Sequence, residues 1–346
     1  MNTYITDFRV CTFNLLNFIE PPNACYELDN IFSERQWAQK QRWLINKLAA
    51  IKPDIIGFQE VFSPDALNRL VVQSGLPYFR VVDSPQVDSD HVYMKPVVAI
   101  ASRFPIVSVE SVEFSDELVH ELKLQNGFSF SRTPIRSEVL IEGFGTVLVY
   151  VIHLKSKRSQ FERELPPRLE SNSEIRAHML AEIHGRWASN IQRGTEASMI
   201  YQDYVEQMCL KERPTMILGD LNDTIESAAL QQLVAGRGMD KLGPRYISSL
   251  STEERRFIER FSLFDSYDLN INPAVGQRKP THYFANKGST LDYILLSKDF
   301  NSAYDHSLAE VIDYQVHDQH LQNPDHEKDA QCSDHAPVSV DVEVRF

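Results

Sequence analysis

The chain is poor in cysteine, has no long apolar run and lacks any excess of positive charge. Only Cys11, Cys25, Cys209 and Cys332 occur in 346 residues, and no two of them stand as Cys-x-x-Cys. That excludes a disulfide framework and the tight metal or redox pair, and it fits free thiols in a reducing compartment. No stretch approaches the roughly 18–20 apolar residues of a membrane span. The first residues, Met1 to Asp7, carry neither a basic nor an apolar signal region, so the expectation is a cytoplasmic protein. Lys and Arg number 35 against 48 Asp and Glu, a net charge of −13. Such a chain is no general electrostatic glove for polyanions, and a phosphate-bearing substrate would need a metal or a local basic patch to offset the repulsion. A linker rich in Pro, Gly and Ser is missing too. A single domain over 1–346 is therefore expected, with excursions near 155–212, 236–262 and 305–332.

What is present is a series of apolar runs that each end on a functional side chain. Thr215-Met216-Ile217-Leu218-Gly219-Asp220-Leu221-Asn222 reads as a buried strand delivering a carboxylate and an amide at its carboxyl end. The glycine before the acid permits a tight turn or a close approach. Taken alone, Gly-Asp is also how many strands simply end in a turn. The same pattern recurs, however. Arg9 to Phe13 runs into Asn14, Ile55 to Gln59 into Glu60, and Gly143 to Val151 into Ile152-His153. Thr290 to Ser297 reads as a strand with Asp292 at its beginning, and Asp334-His335 precedes a last one, Val338 to Val344. A Glu at the end of an apolar run is costly to bury unless it is paired or binds a cation.

Helical spacing fills the intervals. Trp37, Trp43, Leu44 and Leu48 follow a capping Ser33; Leu67, Leu70 and Val71 follow Ser63; and Ile175, Met179, Ile183, Trp187 and Ile191 lie in a long helix over Glu174 to Lys211. Ser227 to Leu233 suggests a further short helix. Phe79 to Val82 and Val97 to Ala101 read as a strand pair, closed by Ser102-Arg103-Phe104-Pro105-Ile106. From His153 to Arg168 five Lys or Arg stand against two Glu, a local basic island. From Asp305 to Ser333 the chain is polar and holds His306, His317, His320 and His326, whose spacing matches no tight ligand pattern; a solvent-facing loop is expected there. Strands alternating with helices in both halves, with the polar set at strand ends, describe an α/β fold with a ligand site at a sheet edge.

Six segments in this order resemble the endonuclease/exonuclease/phosphatase superfamily: Thr12-Phe13-Asn14, Gly57-Phe58-Gln59-Glu60-Val61, His153-Leu154-Lys155-Ser156, Leu218-Gly219-Asp220-Leu221-Asn222, Leu291-Asp292-Tyr293-Ile294-Leu295 and Ser333-Asp334-His335-Ala336-Pro337. The resemblance spans nearly the whole chain. It implies a four-layer α/β sandwich of two packed, mainly antiparallel sheets flanked by helices. It also implies Mg²⁺, with Mn²⁺ as a substitute, and hydrolysis of a phosphate ester, nucleic acid or nucleotide above all. On that likeness Glu60 is the main metal ligand and Asn14 helps place it, with Asp334 as a second-metal or water-mediated ligand. Asp220 would activate the attacking water, Asn222 would donate to phosphoryl oxygens, and His335, oriented by Asp292, would contact the phosphate. His153 would touch the phosphate and protonate the leaving group, and Lys155 and Arg103 are the candidate substrate contacts. Two positions depart from the pattern: Val97 stands where Gly is common, and Thr290 where many nucleases carry Arg. Inositol-phosphate phosphatase, sphingomyelinase-like phosphodiesterase and a catalytically silent binding module of the same fold are the alternatives. No protein partner is implied.

Overall fold

The fold is that of a computed structural model, which describes residues 6–124, 127–161, 171–234, 248–272 and 277–345. Two six-stranded sheets face each other. In the first the order is Ala309–Val316, Val338–Val344, Asp7–Phe18, Ile55–Val61, Val97–Ser102 and Tyr78–Arg80. The second runs Leu263–Asp265, Asp292–Ser297, Thr215–Asp220, Gly145–His153, Ile135–Ile141 and Ile106–Ser111. Neighbours are antiparallel except for the central pair of each sheet, Asp7–Phe18 with Ile55–Val61 and Gly145–His153 with Thr215–Asp220.

Parallel neighbours need a crossover, and here each crossover includes a helix. Glu34–Ile51 links the first pair; Ser33 and Gln36 close a capping box at its start, and Lys52 ends it in a left-handed turn. Asn172–Leu210 links the second pair and starts on a capping box of Ser171 and Glu174. The reciprocal bonds satisfy amide groups that the first helical turn would leave open.

Val10, Ile55, Val98 and Ile100 of the first sheet pack against Val149, Val151, Leu218 and Ile294 of the second. Gly57 sits in this seam, where a Cβ would come within 3.0 Å of Val151 and 3.2 Å of Leu218. The first sheet's outer face packs on Trp37, Trp43, Leu44 and Leu48 of one helix and Leu67, Leu70 and Val71 of the helix Pro64–Gln73. The second sheet's outer face packs on Ile200, Tyr204 and Met208 of the long helix. Helix, sheet, sheet and helix make the four layers that the resemblance implies.

Three local expectations fail. The polar stretch from Asp305 to Ser333 is not one solvent-facing loop: Ala309–Val316 is an edge strand of the first sheet, with Ala309 and Val311 fully buried. An edge strand keeps a polar outer face, which hid it in the sequence. His320 from the same stretch is buried, 5.1 Å from the Trp43 ring, with Nε2 3.1 Å from the His335 carbonyl. Ser227 to Leu233 forms successive turns rather than a helix, with Leu230 N donating to Ser227 O and Leu233 N to Leu230 O. Ser63 precedes a helix without capping it; its hydroxyl accepts from Glu20 N at 2.8 Å. Of the two excursions expected near 155–212 and 236–262, residues 162–170 and 235–247 lie outside the described residues, and Thr252–Glu259 is a helix.

Candidate active site

The parallel pairs decide which residues meet. In the second sheet His153 is the register partner of Asp220, and Asp220 is that of Asp292, so three adjacent strands set these side chains in a row. The strand neighbour approaches so closely that a Cβ on Gly219 would fall 2.2 Å from Ile152 O. Close approach, rather than a turn, is therefore why glycine precedes Asp220. The first sheet brings Asn14 and Glu60 from its own parallel pair, and Asn14 Nδ2 joins the two sheets by donating to Asp220 Oδ2 at 3.0 Å and Glu60 Oε1 at 3.3 Å.

Around Glu60 the backbone is strained. Glu60, Leu16 and Asn17 have φ of 61°, 51° and 52°, in a left-handed region that costs a residue with a side chain roughly 1–2 kcal/mol. In return, Asn17 N donates to Glu60 Oε2 at 2.9 Å and Leu16 N to Asn14 Oδ1 at 3.0 Å. Asn17 Oδ1 is buried and has no hydrogen-bond partner among the described residues. Strain of this kind persists where the surroundings over-determine it, and it concentrates at functional sites.

Asp220 is 1% exposed. Its Oδ1 accepts from Asn222 N at 2.8 Å, and Asn222, also left-handed at φ 55°, uses one amide hydrogen on Leu154 O at 2.9 Å. Two imidazoles flank Oδ2, His153 Nε2 at 3.5 Å and His335 Nε2 at 3.8 Å. His335 Nδ1 lies 2.8 Å from Asp292 Oδ2, while Ser333 Oγ accepts from His335 N and donates to Asn14 O at 2.7 Å.

These environments separate the protonation states. Burial pushes the Asp220 carboxyl up to about 7; the charge of His335 pulls the other way and Asp292 adds to the rise. Burial also works against a charged His335, but Asp292 and Asp220 outweigh it and hold its pKa well above 6.5. His153 goes the opposite way: burial, then Arg132 and His335, keep it neutral. One imidazolium and one neutral imidazole thus sit on either side of a carboxyl with a raised proton affinity.

Not every candidate reaches this point. Asp334 is half-exposed at the mouth, 3.9 Å from His282 Nε2. Lys155 heads the loop after His153, its backbone N donating to Glu196 Oε2 at 2.6 Å and its carbonyl accepting from Arg193 at 3.1 Å. It lines an open groove of about 570 Å³ with Lys95, Ser129, Ser131, Gln160 and Gln192. Arg103 is elsewhere. The Val97–Ser102 strand runs antiparallel to Ile55–Val61, so its end lies at the opposite edge from Glu60, where Arg103 pairs with Asp54 at 2.8 Å. That position corrects its expected contact with substrate.

The sequence reading missed four residues. Lys40 is buried on the first crossover helix, where burial lowers its pKa to about 8 against the pull of Glu60. The His282 ring lies 4.9 Å from the His335 ring, tilted by 45°. Glu196 is buried and holds Ser131 N and Lys155 N. Asn17 forms part of the Glu60 turn.

Among the described residues two groupings could hold a cation by proximity, Asp220–Asp292–His335 and His282–Asp334–His335. Both rely on His335, whose imidazolium has no lone pair to offer. The donors that fit a hard cation are oxygens at the open turn, namely Glu60 and the unpartnered Asn17 Oδ1.

Comparison with solved structures finds the same fold. The catalytic domain of human nocturnin aligns over 98% of this chain and 95% of its own, at 16% identity and a TM-score of 0.57. An endonuclease/exonuclease/phosphatase from Bacteroides vulgatus aligns over 99% and 100%, at 16% identity and 0.54. An AP endonuclease from Archaeoglobus fulgidus aligns over 96% and 98%, at 15% identity and 0.52. No curated protein matches the sequence significantly. The model of the Endonuclease/Exonuclease/phosphatase family matches residues 11–335, a span that includes Asn14, Glu60, His153, Asp220, Asp292 and His335. The chain belongs to that family, whose members are generally hydrolases acting on phosphate esters.

Proposed function

We propose that the protein is a divalent-metal-dependent phosphodiesterase that cuts nucleic acid or nucleotides with a water activated by Asp220. One observation carries the reading: a buried carboxyl with a proton affinity near neutrality lies between Asn14 and the Asn222 amide, 3.8 Å from a charged imidazole. A base is most useful when its pKa is near the working pH, and a fixed cation beside it stabilises charge that grows on phosphoryl oxygens. In the step Asp220 Oδ2 takes a proton from water, the water oxygen bonds to phosphorus, and the bond from phosphorus to the leaving oxygen breaks with its electron pair on that oxygen, which takes its proton from solvent. His335, held by Asp292, donates to a phosphoryl oxygen, as does the second amide hydrogen of Asn222.

His153, being neutral, serves as a hydrogen-bonding contact rather than as the acid for the leaving group. Glu60 with Asn14 and Asn17 would hold Mg²⁺ or Mn²⁺, and Asp334 would bind a second ion or an ordered water. When bound, the ion polarises the phosphoryl group and offsets the acidity of the chain. Lys155 and the groove it lines, with Lys95 and, among the described residues, no acidic residue in the lining, suit the anionic extension of a longer substrate.

Hydrolysis of bis-p-nitrophenyl phosphate with Mg²⁺ or Mn²⁺ tests the reading, with Asp220→Ala as the blank. Single-stranded DNA, duplex DNA, RNA, inositol phosphates and sphingomyelin then sort the substrate. No turnover above the blank on any ester overturns the enzymatic reading; turnover of inositol phosphates or sphingomyelin alone overturns the nucleic-acid part.

A further inference from the structure

The 39-residue helix Asn172–Leu210 has two unlike halves. Its C-terminal half buries Ala197, Met199, Ile200, Tyr204 and Met208. Its N-terminal half instead shows Met179, Ile183 and Trp187 to solvent at 60%, 59% and 64%, with Ile175 and Ile191 exposed on either side. A four-residue interval places all five on one i±4 ridge of the helix. Their open surface is on the order of 600 Å², at the upper end of what a monomer leaves uncovered.

We propose that this ridge docks on the same ridge of a second copy of the chain, antiparallel about a twofold axis at Ile183. The ridge reads Ile, Met, Ile, Trp, Ile, almost the same in both directions. Antiparallel pairing sets Ile183 on its own mate, Met179 on Trp187 and Ile175 on Ile191, the self-complementary arrangement that a twofold interface needs. Thioether sulfur against an indole edge is a favourable contact. Interlocking i±4 ridges give a crossing near −50°, at which Met179, Ile183 and Trp187 carry the contact and the outer isoleucines flank it. In that register Glu182 faces His184, and no acid faces an acid. The ridge approaches the roughly 800 Å² per partner of a standard interface. A bilayer fits less well. Helices that lie on membranes carry an excess of Lys and Arg beside the apolar face, whereas this segment balances Arg176 and Arg186 with Glu174 and Glu182, and the chain has a net charge of −13.

The same segment is tied to the basic loop beyond His153. Gly185 O accepts from Gln160 N at 3.2 Å and Arg158 O from Ser189 Oγ at 2.5 Å, and a Cβ on Gly185 would fall 1.8 Å from Ser159 Oγ. Docked copies would therefore carry their basic loops beside the joint.

Sedimentation equilibrium up to about 100 μM tests the proposal, with a micromolar dimer as the expected result. Met179→Glu with Trp187→Glu should give a monomer with unchanged circular dichroism and melting, because both side chains are exposed. In a Cys209→Ser background, which removes the exposed native thiol, Ile183→Cys should oxidise to a covalent dimer. Met179→Cys should do so only together with Trp187→Cys. A wild-type monomer at the top concentration overturns the proposal, as does a dimer indifferent to the two glutamates or a lone Met179→Cys that cross-links as readily as Ile183→Cys. Binding of a monomeric wild type to neutral phosphatidylcholine vesicles also overturns it and gives the ridge to a membrane.

Discussion

Each sheet builds its contribution to the site from the same unit, a strand, a crossover helix and a parallel strand, yet the two units deliver different chemistry. The first ends in Asn14 and Glu60, with Glu60, Leu16 and Asn17 on strained left-handed backbone and Glu60 partly open to solvent. The second ends in His153 and Asp220 on regular strand, 3% and 1% exposed. An open carboxylate suits a cation that arrives with its waters. A closed one, deprived of water, suits a proton even against the pull of the His335 charge. One architecture thus supplies a cation-binding corner and a proton-accepting corner, and the Asn14 amide spans the seam between them.

The sharpest way to break this division is to neutralise the closed carboxylate. Asp220→Asn should lower turnover by roughly 10³-fold at any metal concentration, within the range for loss of a general base. Stability should respond in a definite direction. In metal-free buffer the native chain keeps a proton on Asp220 between the ordinary value of 3.8 and about 7, where the unfolded chain has released it. Folding therefore takes up a proton, and stability falls as pH rises across that window. Urea melts from pH 4 to 8 should show that decline in the wild type and a flatter profile in Asp220→Asn. A steeper profile in the variant would show that Asp220 is stabilised, not strained, by its charge.

Next comes the imidazolium. His335→Ala should cost roughly 10²-fold in turnover, as for loss of one transition-state donor. Asp292→Asn should cost less, about tenfold, because the ring stays but loses the carboxylate that orients and charges it. The raised pKa of His335 gives a second reading: its contribution to stability is present below 6.5 and is lost as pH rises through the higher folded value. Nuclear magnetic resonance titration of the ring should place it above 6.5 in the wild type and lower in Asp292→Asn. Equal turnover in the two variants would dissolve the distinction between contact and orientation.

The open corner should respond to metal instead. Glu60→Gln should shift the Mg²⁺ midpoint by roughly 10–100-fold and recover much of its turnover at high metal, the behaviour of a weakened site. A titration midpoint equal to the wild type's, with turnover lost at saturation, would give Glu60 the role assigned to Asp220.

The sequence made most of this legible because a strand end is a local event. Asn14, Glu60, His153, Asp220 and Asp292 each close or open an apolar run, and the run itself points to the edge of a sheet. Ser333-Asp334-His335 precedes its strand in the same way. What stayed hidden depends on distance in the chain. Lys40 and Glu196 lie inside helices, where a charged residue normally marks the solvent side, and only the packed fold turns them inward. His282 gains meaning through an isolated bridge to His335, 53 residues on. Ala309–Val316 was lost because its outer residues are polar. Arg103 misled for a related reason: its motif is local, but the strand before it runs the other way.

That reversal supports the smallest and most discriminating comparison, between two basic residues each just beyond a strand. Lys155 follows His153 on a loop that Glu196 and Arg193 hold at the groove. Lys155→Ala should raise KM for an oligonucleotide several-fold, leave kcat nearly unchanged and reduce the salt dependence of binding by about one charge. Bis-p-nitrophenyl phosphate, which has no further phosphate to place in the groove, should be turned over at the wild-type rate. Arg103→Ala removes an ion pair with Asp54 whose arginine is 47% exposed, and such pairs contribute about 0–1 kcal/mol. It should lower the urea midpoint slightly and leave kcat and KM alone for both substrates. A rise in KM from Arg103→Ala equal to that from Lys155→Ala would mean that substrate reaches the far edge of the first sheet, and the site would then have to be redrawn around both edges.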